Sequence, residues 1–474
     1  MPRGVVAAGH PVTAESGAEL LRAGGNAVDA ALAAMFASFV AEPLLTGLGA
    51  GGYMLVAAPG EEPVLLDFFV EAAGRGRAPG AEHAPLQTVA VDFGGAVQDF
   101  HIGASAAGPY GTVAGACAAA ERFARLPLVE LVAPAVAHAR AGVEVNAQQA
   151  YLFEILAPIC RASPSARALY QPAGHPPRIG ETHRDPVLAD ALERIAREGA
   201  APFYSGDVAA AVSAHVAARG GLLTPEDLAA YRAVPRAPVR VSYRGETVLT
   251  NPPPSAGGTL LAHALARLDA GPSPPGVPAL LAAMEEAQAQ RTPEFLARLG
   301  STTHISTMDA DGWACAVTCT NGEGCGEVVP GTGVHLNNMM GEQDLSPYGF
   351  FTHPPGRRLP SMMSPTMVVG DDGPSLALGS AGSNRIRSAI LQVVVGVLDR
   401  GLDVQAAIDA PRLHAEDGIV YVEPGVDVSA IADRALVRFR APNLFFGGAQ
   451  AVERAGSELR GGCDFRRGGG IAVA

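Results

Sequence analysis

The 474-residue chain contains no lysine; all 34 of its basic residues are arginine. A Schiff-base lysine, a cofactor-anchoring lysine and a phosphate-loop lysine are therefore excluded, and any amine that does chemistry is an α-amine. Long apolar runs are also missing. The longest, 30–41, follows Asp29 and falls short of the ~20 residues that a bilayer span needs, so it reads as a buried helix. The first residues, Met1-Pro-Arg-Gly-Val-Val, show no basic segment followed by an apolar one and a cleavage site, so no secretory signal is read and a cytoplasmic location is expected. The six cysteines (Cys117, Cys160, Cys315, Cys319, Cys325 and Cys463) form no C-x-x-C pair and have no histidine at metal spacing; reduced thiols and no metal site are expected. Charged residues make up only 17%, the net charge is −13, and no arginine-dense stripe interrupts it. Phosphate neutralisation needs local positive charge, so the partner is expected to be a small molecule, with no nucleic acid and no membrane.

What is present is a chain able to build a large core, with 48% hydrophobic residues. The pattern predicts a helix over 13–23 closed by Gly24-Gly25, then a second helix capped by Asn26 with Asp29 at its third position. Two apolar runs, 53–58 and 63–70, flank Gly60-Glu61-Glu62 and predict a hairpin. Residues 79–105 are weakly patterned, and 112–216 read as mostly helical. A helix start at Thr224 and a strand over 239–248 follow, and Asn251 to Gly258 forms a turn-rich backbone cradle that feeds another helix. At residue 302 the period changes to two. Residues 303–308 alternate, Asp309-Ala-Asp-Gly312 turns, and 313–320 alternate again with Trp313, Cys315, Val317 and Cys319 on one face. Further strands over 367–370 and 375–379 precede a Gly-Ser-Ala-Gly-Ser turn and a helix over 384–399.

Gly47-x-Gly49-x-x-Gly52 has dinucleotide-binding spacing, but a helix precedes it and a strand follows, the reverse of the order that brings a helix N-terminus to a pyrophosphate. It reads as a tight helix-to-strand crossing. Gly379-Ser-Ala-Gly-Ser383 sits at a strand-to-helix turn but lacks Gly-x-Ser-x-Gly spacing, which removes the serine-hydrolase elbow. Ser301-Thr302-Thr303-His304-Ile305-Ser306 remains, opening a strand.

Thr302-Thr-His-Ile-Ser306 resembles the processing site and new N-terminus of the gamma-glutamyltransferase (glutathione hydrolase) family. The landmarks Gly24-Gly-Asn-Ala-Val-Asp-Ala-Ala31, Gly49-Ala-Gly-Gly-Tyr-Met-Leu55, Gly111-Thr-Val-Ala-Gly115, Leu222 to Tyr231 and Pro252 to Gly258 resemble that family in its own order. So do Leu336-Asn-Asn338, Ser364-Pro-Thr366, Gly379 to Ile386 and Asp409-Ala-Pro-Arg412, so the likeness spans nearly the whole chain. The resemblance implies an α+β fold, a four-layer αββα sandwich of the N-terminal-nucleophile hydrolase type. It implies a precursor that cuts itself between Ser301 and Thr302 into a large chain 1–301 and a small chain 302–474, together one αββα unit. Thr302 would be both nucleophile and, through its freed α-amine of ordinary pKa near 8, base. Thr320 matches the threonine that supports the nucleophile. Gly382 and Ser383 match the glycine pair whose backbone N–H groups hold the oxyanion, and His304 is expected to pack and orient.

The pocket departs from the family pattern. The arginine that pairs with the substrate α-carboxylate sits in an Asp-Phe-Arg-Glu run; here the run is Asp67-Phe-Phe-Val-Glu71, with Phe69 or Val70 at the arginine position. Ser361 is followed by Met362 where the family has a serine pair. In place of Asn-Asn-Gln-x-x-Asp stands Asn337-Asn-Met-Met-Gly-Glu342, so Met339 replaces the amide and Glu342 keeps the acid one methylene longer. The asparagine two residues beyond the supporting threonine becomes Gly322, with Asn321 adjacent. Arg75, Arg77, Arg357 and Arg358 are the candidates to supply a cation from another direction.

The substrate-binding set is thus expected to be Phe69, Asn321, Met339, Glu342, Ser361 and Met362. The activity expected is hydrolysis or transfer of a γ-glutamyl or similar small acyl amide through an acyl-Thr302 intermediate. An acylase or small-amide hydrolase of the oxamate or cephalosporin type on the same fold, and an uncleaved non-catalytic binding paralogue, are the alternatives. No metal or organic cofactor is implied. The large and small chains are expected to associate, with a homodimer of the pair as a further option.

Overall fold

A computed structural model describes residues 2–78, 80–92, 97–290, 302–346 and 348–474, apart from the side chain of residue 344. Its architecture is mixed α/β, built on two antiparallel sheets of seven and six strands. In chain order the strands are β1 (Gly4–Ala8), β2 (Gly51–Ala57), β3 (Val64–Phe68), β4 (Val234–Arg236), β5 (Val239–Tyr243), β6 (Glu246–Thr250), β7 (Thr303–Asp309), β8 (Ala314–Thr320), β9 (Thr366–Gly370), β10 (Gly373–Ala381), β11 (Gly448–Ala455), β12 (Glu458–Cys463) and β13 (Gly470–Val473). The first sheet runs β13-β1-β7-β8-β2-β3-β4 and the second β12-β11-β10-β9-β6-β5.

Strand alternation assigns each face of the first sheet. Val6 and Ala8 of β1, Ile305 of β7 and Cys315, Val317 and Cys319 of β8 join one core with helices α1 (Pro11–Arg22) and α2 (Ala27–Ala41). Their neighbours Val5, Ala7, Met308, Ala314 and Ala316 join the other core with Met367, Leu376 and Leu378 of the second sheet. Every residue of α2 is buried, and its N-terminus is closed by the expected capping box of Asn26 with Asp29. Asp29 also accepts from the backbone N–H of Arg125 and Leu126, which ties the helix start to a distant loop.

Two readings are corrected by geometry. The single strand expected over 239–248 is the hairpin β5–β6, turning at Arg244-Gly245 with φ of +54° and +87°, the positive pair that a two-residue turn of matching twist requires. The weakly patterned segment 79–105 contains two strands paired antiparallel, Gln87–Asp92 with Val97–Ile102. Among the described residues no helix is long and apolar enough to cross a membrane, all six cysteines are free, and no group of three or more acidic, His or Cys side chains could hold a metal ion.

Candidate active site

Thr302 immediately precedes β7 and is buried. Thr303 pairs with Cys319 in the β7–β8 ladder, so continuing the register sets Thr302 opposite Thr320. Alternation points the side chains of Thr302, His304 and Ser306 toward the second sheet and that of Thr303 toward α2. There the Thr303 hydroxyl donates to Oε2 of Glu42 at 2.6 Å. On the other face His304 Nδ1 lies 2.8 Å from Thr318 Oγ1 and Nε2 lies 2.9 Å from Ser306 Oγ. Burial pushes the His304 pKa down to about 3, so the ring is neutral and fully engaged in positioning. Gly379 makes room for it, since a Cβ there would fall 2.2 Å from the ring.

The turn expected to hold the oxyanion follows β10. Gly382 (φ +115°) and Ser383 (φ +51°) lie between the strand and helix α3 (Arg385–Leu398), and the Gly382 and Ser383 carbonyls accept from Arg385 and Ile386 N–H. Backbone N–H groups at a helix N-terminus point toward an anion, with the helix dipole behind them. Ser383 adopts the left-handed conformation that favours glycine, at a cost of about 1–2 kcal/mol.

Thr302, Thr320 and Ser383 line one pocket, together with Phe69, Met339, Glu342, Ser361 and Met362. Five of the six expected substrate-binding residues therefore converge on the expected nucleophile. Asn321 does not: it is buried outside the pocket lining, with its backbone N–H bonded to the Leu45 carbonyl. Ser301 lies outside the described residues. Leu345, Met363 and Ile386 also line the pocket. Leu345 carries no motif, whereas Ile386 closes the landmark that begins at Gly379 and Met363 follows Met362.

The loop that bears Met362 and Met363 is held by the predicted glycine cradle. The Ser361 carbonyl accepts from Ala256 N–H at 2.9 Å, Gly257 N–H at 3.2 Å and the Ser255 hydroxyl at 2.9 Å. A Cβ on Gly257 would fall 2.1 Å from the Met362 carbonyl oxygen, so only glycine permits this approach. On the opposite wall Asn337 bridges the carbonyls of Gly49 and Gly108 at 2.9 Å each, fixing the turn that presents Met339 and Glu342.

Among the described residues no arginine lines the pocket. Arg358 lies behind Phe69: it donates to the Phe69 carbonyl and the Tyr231 hydroxyl, stacks on the Tyr231 ring, and sits 3.4 Å from Asp67 and 3.6 Å from Glu71. Arg75 pairs with Glu71 at 3.3 Å, Arg77 donates to the carbonyls of Gly221 and Glu82, and Arg357 is exposed. Phe69 is buried and stacks on Tyr53 at 5.6 Å. Among the described residues the site therefore presents threonine and serine hydroxyls, one carboxylate and an apolar wall.

The model of the Gamma-glutamyltranspeptidase family matches residues 13–297 and 282–474. Among curated proteins, the Acylase ACY 1 proenzyme of Pseudomonas sp. (strain V22) is 31% identical over 95% of this chain and 89% of its own length. The Glutathione hydrolase proenzyme of Escherichia coli (strain K12) is 32% identical over 87% of this chain and 81% of its own. Among solved structures, the cephalosporin acylase from Bacillus halodurans superposes with a TM-score of 0.83 at 27% identity, covering 99% of this chain and 96% of that one.

Proposed function

This chain belongs to the gamma-glutamyltranspeptidase family, and we propose that it works as a self-processing amide hydrolase or acyltransferase with Thr302 as nucleophile. Membership makes it an enzyme of the gamma-glutamyltransferase and glutathione hydrolase type, and the proenzyme names of its relatives point to a processed two-chain form. In the reading proposed here, cleavage after Ser301 gives chains 1–301 and 302–474 within one four-layer αββα sandwich. The freed α-amine of Thr302 takes the proton from its own hydroxyl as Oγ attacks the amide carbonyl. The oxyanion settles against the N–H groups of Gly382 and Ser383, the leaving amine departs with the proton, and water or an acceptor amine releases the acyl group. Thr320, opposite in the ladder and bonded through its Oγ1 to Gly322 N–H at 3.0 Å, holds the nucleophile's surroundings in place.

The substrate is a small acyl amide. The observation that carries the reading is the convergence of Thr302, Thr320 and Ser383 on a pocket walled by Phe69, Met339 and Met362 with Glu342 as its acid. A γ-glutamyl group carries an α-carboxylate, and losing a bidentate arginine contact to it costs a few kcal/mol. The lining accordingly favours the acylase side of the family, with an acyl chain that lacks this carboxylate. Intact mass tests the nucleophile: wild type should yield fragments 1–301 and 302–474, whereas Thr302→Ala should stay whole. A wild type that remains uncut and inactive supports the binding-paralogue alternative instead. Comparing γ-glutamyl-p-nitroanilide with butyryl-p-nitroanilide tests the pocket, with the higher kcat/KM expected for butyryl.

A further inference from the structure

Behind the nucleophile strand lies a second polar constellation that this chemistry leaves unused. Glu42, just past the end of α2, is buried and accepts from the hydroxyls of both Thr303 (2.6 Å) and Thr13 (3.1 Å). It shares a small cavity with His10, Gln149 and Arg467. The Arg467 side chain runs across Gly448, where a Cβ would fall 2.3 Å from its Cδ. Its Nη2 reaches within 3.2 Å of where a Cβ on Gly382 would stand, immediately behind the oxyanion turn.

Arg467 differs from its neighbours in this corner. Arg412 pairs with Asp464 at 2.7 Å, and Arg466 pairs with Glu423 and, at 3.3 Å, with Asp464. Arg467 makes no ion pair within 4 Å among the described residues, and its buried Nε has no hydrogen-bond partner. Holding a cation this way is costly. Burial pushes its pKa down to about 10 and pushes that of Glu42 up to about 7, while the threonine hydroxyls and Arg467 pull Glu42 back down. The arginine is thus placed between the carboxylate that fixes the nucleophile strand and the turn where negative charge would develop.

We infer that Arg467 and Glu42 are positioning residues for the reaction. Arg467 braces the Gly382–Ser383 turn from behind and directs positive field at the oxyanion, and Glu42 anchors Thr303 so that the adjacent Thr302 keeps its place. The inference rests on Thr302 being the nucleophile. Its signature is a loss in kcat with little change in KM, because neither residue lines the substrate pocket.

The test uses whichever of the two p-nitroanilides wild type hydrolyses. Arg467→Met should lower kcat about tenfold and leave KM within about twofold, and Arg467→Lys should return kcat to within about threefold of wild type. Thr303→Val, which keeps shape but removes the hydroxyl, should lower kcat in the same way, and Thr303→Ser should restore it. The brace is overturned if Arg467→Met turns over like wild type, if Lys is as slow as Met, or if the loss falls in KM. Should Arg467→Met fail to fold, the Thr303 pair decides: equal turnover of Val and Ser variants overturns the anchor. An uncut, inactive wild type overturns the nucleophile reading and the brace together, whereas a processed, active wild type with silent variants overturns the brace alone.

Discussion

A Cβ on Gly322 would fall 2.4 Å from Oε1 of Glu342 and 1.8 Å from Oδ1 of Asn338. The bare backbone at 322 and the longer acid at 342 therefore share one volume, which Asn338 also enters. Gly322 also has φ of +61°, which a side chain disfavours. Gly322→Asn alone should lower the unfolding free energy by about 2–4 kcal/mol and abolish turnover, since overpacking and backbone strain add. Adding Glu342→Asp should recover part of both, measured by urea denaturation and kcat/KM. A double variant no better than the single one would separate the two positions.

Ser383 should be replaceable by glycine without loss. The donor proposed for the oxyanion is backbone, and glycine removes the cost of φ +51°. Ser383→Gly should keep kcat within about twofold and stabilise by up to about 1 kcal/mol, whereas Ser383→Val should destabilise by more than that. Thermal unfolding and turnover check both.

Phe69 and Met362 should set acyl preference. Met362→Ser returns a hydroxyl beside Ser361 and removes apolar wall, so the ratio of butyryl to γ-glutamyl kcat/KM should fall by about fivefold or more. Phe69→Arg should do little by itself, because it sets a second cation against Arg358 and removes the Tyr53 stack. Rates on the paired p-nitroanilides decide this.

Stability should fall in mild acid. Burial pushes His10, His183, His335 and His414 down to about 4 and His304 to about 3. In the unfolded chain these rings take protons near pH 6.5, so their neutral burial stabilises above that value and is lost as pH drops toward 4. Glu42, raised to about 7, has the opposite sign: its contribution is complete below about 4.5 and is lost as pH climbs through 7. Burial also raises Glu71, Asp185, Asp309 and Glu453, in the same sense as Glu42, but only Glu42 is carried as far as about 7, so the histidines dominate between pH 7 and 5. The urea midpoint should therefore drop between pH 7 and 5, with unfolding taking up several protons, at about 1.4 kcal/mol per pH unit for each. A flat midpoint over that range contradicts the assignment.

Local signals were the legible ones. Asn26 with Asp29 announces α2, and the alternation around Asp309-Ala-Asp-Gly312 announces β7–β8, because caps and strand period are set by neighbouring residues. Family landmarks then carried Phe69, Met339, Glu342, Ser361 and Met362 to one pocket although nearly 300 residues separate the first from the last. Asn321 was misplaced by adjacency: it follows the last residue of β8, where the chain turns, and its side chain is buried away from the pocket. Glu42 and Arg467 could not be paired from sequence, since nothing local to either one records the other.

The strand order has one more consequence. A cut before Thr302 would leave β1 of the large chain hydrogen-bonded between β13 and β7 of the small one, β2 against β8 in the same sheet, and β6 against β9 in the other. The two pieces would be woven, like fingers of two clasped hands, across four backbone seams. Such a protein is nicked without being divided: its halves should co-elute after processing, melt in one transition, and part only by unfolding.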